Sequence, residues 1–159
     1  FSVLFAERRI KIGILLPNVD ISLSQEACYS TYHVRPGIEI AFDFVSKQAE
    51  FHDLTFEAQY LDSRCSDTYG PVAAMEMVYR GEVHAFFGPC CKYALSPIAR
   101  YSKVWDLPLL TPGGLTSAFA NKAEFPLLTR ILAQYESIVE FLLKVLYQFG
   151  WTYTSLLWH

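Results

Sequence analysis

The order of strand and helix signals in this chain of 159 residues predicts an α/β fold built on a doubly wound parallel sheet. Three observations carry the prediction. Short apolar runs alternate with amphipathic helical stretches; the segment His84 to Thr111 reads as a whole β-α-β unit; and turn formers sit at the junctions. In that unit Ala85 to Phe87 is a short buried strand and Gly88-Pro89 a turn. Ile98, Tyr101 and Val104 then mark a helix, and Leu107 to Thr111 is a second buried strand. The crossover puts both strand ends on one edge of the sheet, so the turn from Gly88 to Tyr93 opens into the crevice where such folds take ligands.

Lys11 to Leu16 is a nearly continuous apolar run ended by Pro17, the pattern of a strand buried on both faces. After a polar stretch, Val34, Ile38, Ala41, Phe42 and Val45 recur at helical spacing, with Pro36 expected in the first turn. Leu54 to Leu61 alternates as an outer strand does, and belongs at or near a sheet edge. Asp62 to Thr68 supplies turn and cap chemistry for a helix from Pro71 to Tyr79, whose cluster Val72, Met75, Val78 and Tyr79 is ended by Gly81. Beyond the central unit, Phe125 to Ile131 reads as a short strand. Gln134 to Phe149 is an amphipathic helix with Gly150 as its stop, and Tyr153 to Trp158 begins another strand.

Composition narrows the function classes. With 52% hydrophobic and 16% aromatic residues, the chain has the material for one folded domain, which at this length buries roughly 70% of its unfolded surface. The 13 basic and 16 acidic residues form no block of either sign, which gives no electrostatic reason to expect nucleic acid. Ile138 to Trp151, the most apolar stretch, is interrupted by Glu140, Lys144 and Gln148, so it does not span a bilayer. Phe1 to Ala6 is apolar but lacks the basic start of a signal peptide, and the N-terminus reads as processed or cut.

Four cysteines, Cys28, Cys65, Cys90 and Cys91, allow three pairings. Adjacent cysteines reach disulfide geometry only under strain, and the two remaining pairings each link Cys28 and Cys65 to the Cys90-Cys91 doublet. All of them fall in loops on the carboxyl edge of the expected sheet. Four histidines without ligand spacing, and no Cys-x-x-Cys, weigh against zinc. Glycine-rich nucleotide loops and a Gly-x-Ser-x-Gly elbow do not occur, and Cys91 beside Lys92 has no histidine at a recognisable distance to make it a nucleophile.

Phe87-Gly-Pro-Cys-Cys-Lys-Tyr-Ala-Leu-Ser-Pro-Ile-Ala-Arg, Trp105-Asp-Leu-Pro-Leu-Leu-Thr-Pro-Gly and Cys65-Ser-Asp-Thr-Tyr-Gly-Pro-Val-Ala-Ala together resemble the extracellular domain of natriuretic peptide receptors and related receptor guanylate cyclases. More distantly, Leu107 to Gly113 and Leu128-Thr-Arg resemble type I periplasmic binding proteins and glutamate-receptor amino-terminal domains. The resemblance implies the first lobe of a two-lobed ligand-binding domain, outside the cell on a membrane-anchored receptor. Residues 1–9 would be an extension, 10–150 the membrane-distal lobe and 151–159 the start of the second. It implies no catalysis in this segment, any cyclase lying elsewhere in a parent chain.

Residue by residue, the resemblance implies a Cys65–Cys91 disulfide, leaving Cys28 and Cys90 as a second pair, where the family commonly has a non-cysteine residue at the position of Cys90. It implies a chloride ion near Ser63, Cys90 and Cys91, peptide-hormone contacts at Asp67, Tyr93 and Arg100, and a homodimer face at Tyr79, Tyr101 and Val104. Chemistry alone also allows a helix cap for Asp67, core packing for Tyr93, a solvated ion pair for Arg100 and tyrosines packed at the sheet. A clearance receptor without a cyclase has the same lobe. An amino-acid-binding lobe would instead draw polar groups from Thr111-Pro-Gly-Gly and Leu115-Thr-Ser.

Overall fold

The computed structural model describes residues 8–18, 30–51, 53–81 and 83–155. In chain order the elements are β1 (Arg8–Leu16), α1 (Thr31–Ser46), β2 (Leu54–Asp62), α2 (Tyr69–Tyr79), β3 (Ala85–Phe87), α3 (Lys92–Trp105), β4 (Leu109–Thr111), β5 (Leu128–Arg130) and α4 (Tyr135–Gln148). Five strands pair in the order β2-β1-β3-β4-β5, and every pairing is parallel. The order reverses between β1 and β3, which places the crevice of a doubly wound sheet at the carboxyl ends of those two strands.

β1 is paired along both sides, from Arg8↔Leu54 to Leu16↔Asp62 with β2 and from Ile12↔Ala85 to Ile14↔Phe87 with β3. Its alternating side chains supply both cores. On one face Leu15, Phe86, Leu109 and Leu128 pack with Ala74 and Met77 of α2 and Leu95 and Ile98 of α3. On the other, Ile12, Ile14 and Leu16 meet Val34, Ile38 and Phe42 of α1. The expected α/β fold is the observed one, with β2 at an edge.

Five element readings change. α1 starts at Thr31, where the Pro17 carbonyl accepts from the Thr31 amide at 2.9 Å, so Pro36 sits inside the helix and not in its first turn. α2 turns the opposite way from its hydrophobic cluster: Val72, Met75 and Tyr79 are exposed, while Gly70, Pro71, Ala73, Ala74 and Met77 are buried. Close packing on α3 requires this, since a Cβ on Gly70 would lie 3.0 Å from the Ala94 Cβ and only small side chains fit the contact. β4 and β5 are shorter than the apolar runs that predict them, because their pairing covers only Phe86↔Leu109 to Thr111↔Arg130. Residues 153–155 of the expected last strand are in no strand, and 156–158 lie outside the described residues.

α4 forms as its periodicity predicts and ends in a Schellman arrangement, with Gly150 at φ 63° and the Trp151 amide donating to Leu146 at 2.9 Å. None of its residues is buried. Its start is fastened: the Tyr135 amide donates to Leu115 at 2.9 Å, and a Ser117 hydrogen bond holds the Glu136 carboxyl below the usual carboxylate range.

Gly13 lies mid-strand where a Cβ would come 2.8 Å from both Met77 Sδ and the Phe86 ring. Gly13→Ala is expected to cost about 1–3 kcal/mol by overpacking, read as a lower midpoint with unchanged slope in urea unfolding.

Candidate functional site

The carboxyl edge is held by a disulfide. Cys65 and Cys91, with Cα atoms 5.4 Å apart, join the loop before α2 to the N-cap of α3. Cys65 reaches this position through two consecutive left-handed residues, Arg64 at φ 50° and Cys65 at φ 53°. The turn is secured by neighbouring side chains: Asp62 accepts from the Arg64 amide at 2.8 Å, and the Arg64 guanidinium lies 4.4 Å from the Tyr69 ring centre.

Ser63 is fully buried beneath the bridge. Its amide donates to Leu16 at 3.1 Å and its hydroxyl oxygen accepts from the Cys65 amide at 3.4 Å, a bond that leaves the hydroxyl proton to donate elsewhere. Cys91 caps α3 with extended backbone but no side-chain hydrogen bond, its sulfur being committed to Cys65. A buried hydroxyl and an uncapped helix start therefore flank one disulfide, an arrangement with the donor chemistry of an anion site. Cys90 is buried with its sulfur 3.8 Å from that of Cys91. The expected Cys28–Cys90 pair cannot be placed, because Cys28 lies outside the described residues.

The Thr111-Pro-Gly-Gly segment is packed against the doublet. Thr111 donates from its hydroxyl to Pro89 at 2.6 Å and accepts from the Gly113 amide at 2.9 Å, and a Cβ on Gly113 would collide with the Cys90 carbonyl. Arg130 takes the carbonyls of Gly114 and Thr116 at 3.0 and 3.2 Å. The Thr111 hydroxyl, the Gly113 amide and the Gly114 and Thr116 carbonyls are thus engaged within the fold.

Asp67 lies two residues beyond Cys65 and Tyr93 two beyond Cys91, so chain geometry keeps their Cα atoms within about 20 Å. Asp67 is exposed and accepts from the Thr68 hydroxyl at 3.2 Å; Thr68, not Asp67, is the N-cap of α2. Tyr93 is 65% exposed, which removes core packing, and Lys92 Nζ lies 5.0 Å from its ring centre. Two turns on, Arg100 is not an open cation. Its Nε donates to Glu124 at 2.7 Å, one terminal nitrogen approaches the same oxygen at 2.6 Å, and the other donates to Ser96 at 2.7 Å. Sequence reasoning missed Glu124, which lies far from Arg100 along the chain and in no periodic pattern.

Tyr79, Tyr101 and Val104 are all exposed, at 94%, 39% and 80%, on the neighbouring helices α2 and α3. Among the described residues no cluster of histidine, cysteine and carboxylate side chains has the makings of a metal site.

The fold is that of one lobe of a periplasmic-binding-protein-like domain. Its backbone superposes on an ABC transporter substrate-binding protein from Desulfitobacterium hafniense with TM-score 0.72 and 16% identity, over 90% of this chain and 40% of that one. Residues 33–159 match the family described as the receptor family ligand binding region, and this chain belongs to that family. It is 30% identical over 161 residues to atrial natriuretic peptide receptor 3 of Rattus norvegicus, covering 96% of this chain and 29% of the receptor. To atrial natriuretic peptide receptor 2 of the same organism it is 28% identical over 146 residues, covering 91% of this chain and 14% of the receptor. The chain thus spans less than a third of the length of these relatives.

Replacing Cys65 and Cys91 together by alanine opens a loop of 26-residue separation. The expected loss is about 3–4 kcal/mol from chain entropy, measured by denaturant unfolding against the oxidised parent.

Proposed function

We propose that this chain is the membrane-distal, hormone-sensing lobe of a cell-surface receptor of the natriuretic peptide receptor kind, facing outside the cell. One observation supports the reading: in a chain 30% identical to a natriuretic peptide receptor, the Cys65–Cys91 bridge ties the start of α3 to the loop before α2, with Asp67, Tyr93 and Arg100 all exposed. A peptide lies across these side chains, with Tyr93 as its aromatic contact and Asp67 as the acceptor for a basic side chain. Arg100 takes a backbone carbonyl or carboxylate only by exchanging Glu124 for the ligand.

Two receptor chains meet through Tyr79, Tyr101 and Val104, and the ligand acts by changing how they are juxtaposed. The buried Ser63 hydroxyl beside the first-turn amides of α3 holds a chloride ion, and Cys28 closes a second bridge to Cys90. The packing favours ending the lobe near Arg130, since the core's last buried residue is Leu128 and α4 buries nothing. α4 then goes with the second lobe. Catalysis, where the receptor has any, lies outside this lobe.

Calorimetry with the full receptor ectodomain is expected to give saturable heats with cyclic peptides and none with free amino acids. Tyr93→Ala and Arg100→Ala should each weaken the peptide by about tenfold or more. Saturable amino-acid binding without a peptide response would remove the hormone reading. For the dimer, Val104→Asp combined with Tyr79→Asp should shift the ectodomain to monomer in sedimentation velocity while leaving its circular dichroism unchanged; dimers that persist would exclude this face.

A further inference from the structure

Two cations flank the Cys65–Cys91 bridge, and the ligand contacts proposed above use neither. Arg64 immediately precedes Cys65 and Lys92 immediately follows Cys91. One residue step on either side of a 5.4 Å span keeps their Cα atoms within about 13 Å of each other. Both residues are exposed, and each head group lies over a tyrosine: the Arg64 guanidinium 4.4 Å from the Tyr69 ring centre, and Lys92 Nζ 5.0 Å from that of Tyr93. A second contact sets the two pairs side by side. Gly70 and Ala94, which follow the two tyrosines, approach so closely that a Cβ on Gly70 would lie 3.0 Å from the Ala94 Cβ.

Fold stability asks for a cation at neither place. Lys92 is the first residue of α3, where the positive end of the helix dipole disfavours a basic side chain, and the first turn holds no acidic residue to offset it. Arg64 occupies the left-handed region at φ 50°, where glycine, asparagine or aspartate is the ordinary choice. Two departures from local preference on either side of one bridge mark a working surface. Among the described residues neither head group meets a carboxylate or donates a hydrogen bond. The neighbouring acids are engaged elsewhere. Asp62 accepts from the amides of Asn18 and Arg64 at 3.1 and 2.8 Å, Glu124 holds Arg100, and Asp67 takes the Thr68 hydroxyl. A cation lying over a ring keeps its N–H donors for another partner and has already given up part of its rotamer freedom.

We propose that Arg64 and Lys92 together receive a carboxylate of the peptide ligand, beside the place where Asp67 receives a basic side chain of the same peptide. Arg64 offers a two-pronged N–H edge to the carboxylate and Lys92 a point charge. Arg64 and Asp67 are three residues apart, so their Cα atoms lie within about 11 Å, and the two receiving points match an acidic and a basic residue close together in the peptide. This inference rests on the hormone reading for the ligand's being a peptide, and adds the chemical class of the part that lies over the bridge.

The test uses the full ectodomain and two blocked probes, acetyl-Asp-Gly-Arg-amide and acetyl-Asn-Gly-Arg-amide, which differ only in the side-chain carboxylate. NMR of the arginine and lysine side-chain nitrogens follows binding. The Asp probe is expected to shift the Arg64 Nε and Lys92 Nζ resonances saturably and to bind about fivefold or more tighter than the Asn probe, an advantage that shrinks as salt is added. In Arg64→Gln combined with Lys92→Gln the advantage should vanish, and in Arg64→Glu combined with Lys92→Glu it should reverse, with circular dichroism unchanged in both. No saturable shift, equal binding of the two probes by the parent, or an advantage that survives in the double glutamine variant would overturn the proposal. Calorimetry with cyclic peptides reports on the hormone reading separately. Probe discrimination without peptide heats would reject hormone sensing alone, and peptide heats without discrimination would reject the carboxylate site alone.

Discussion

A single covalent constraint, the bridge from Cys65 to Cys91, fixes the relation between two helix starts that the sheet alone would leave loosely coupled. β2 and β3 lie on opposite sides of β1, so the loops leaving them emerge on either side of the switch point. The bridge spans that gap with 5.4 Å between Cα atoms. Its cost is visible locally, in two successive left-handed residues and in the loss of Cys91 as a side-chain cap for α3. What it delivers is a rigid edge, beneath which Ser63 is buried and above which Asp67 and Tyr93 are displayed.

The rest of the edge is built to support that constraint. Thr111 reaches back to the Pro89 carbonyl, Gly113 is small enough to lie against Cys90, and Arg130 collects the carbonyls of the following turn. Polar groups that might have faced a small ligand instead hold loops in place.

α2 explains how one sequence pattern can be read two ways. Its large apolar residues recur at helical spacing, the usual mark of a core-facing stripe. Packing against α3 reverses their role, because the approach marked by Gly70 and Ala94 admits only small side chains and leaves Val72, Met75 and Tyr79 outside. Together with Tyr101 and Val104 they make an apolar surface of the kind that monomers seldom leave bare. Among the described residues, α4 is a second such surface.

The succession of strands and helices along the chain, the parallel sheet and the four helices were legible in the chain, because apolar periodicity and the proline and glycine punctuation are local properties that each segment carries alone. Cysteine placement likewise limited which loops sulfur could join. The partner of Arg100 was not legible, since Glu124 meets it only after α3, β4 and the turn before β5 have packed. Nor was the inward face of α2, or the extent of β4 and β5, where hydrogen bonding to a neighbouring strand outweighs the length of the apolar run. Such features depend on which surfaces approach closely enough to exclude a side chain or complete a hydrogen bond, and that distance is set by the fold as a whole.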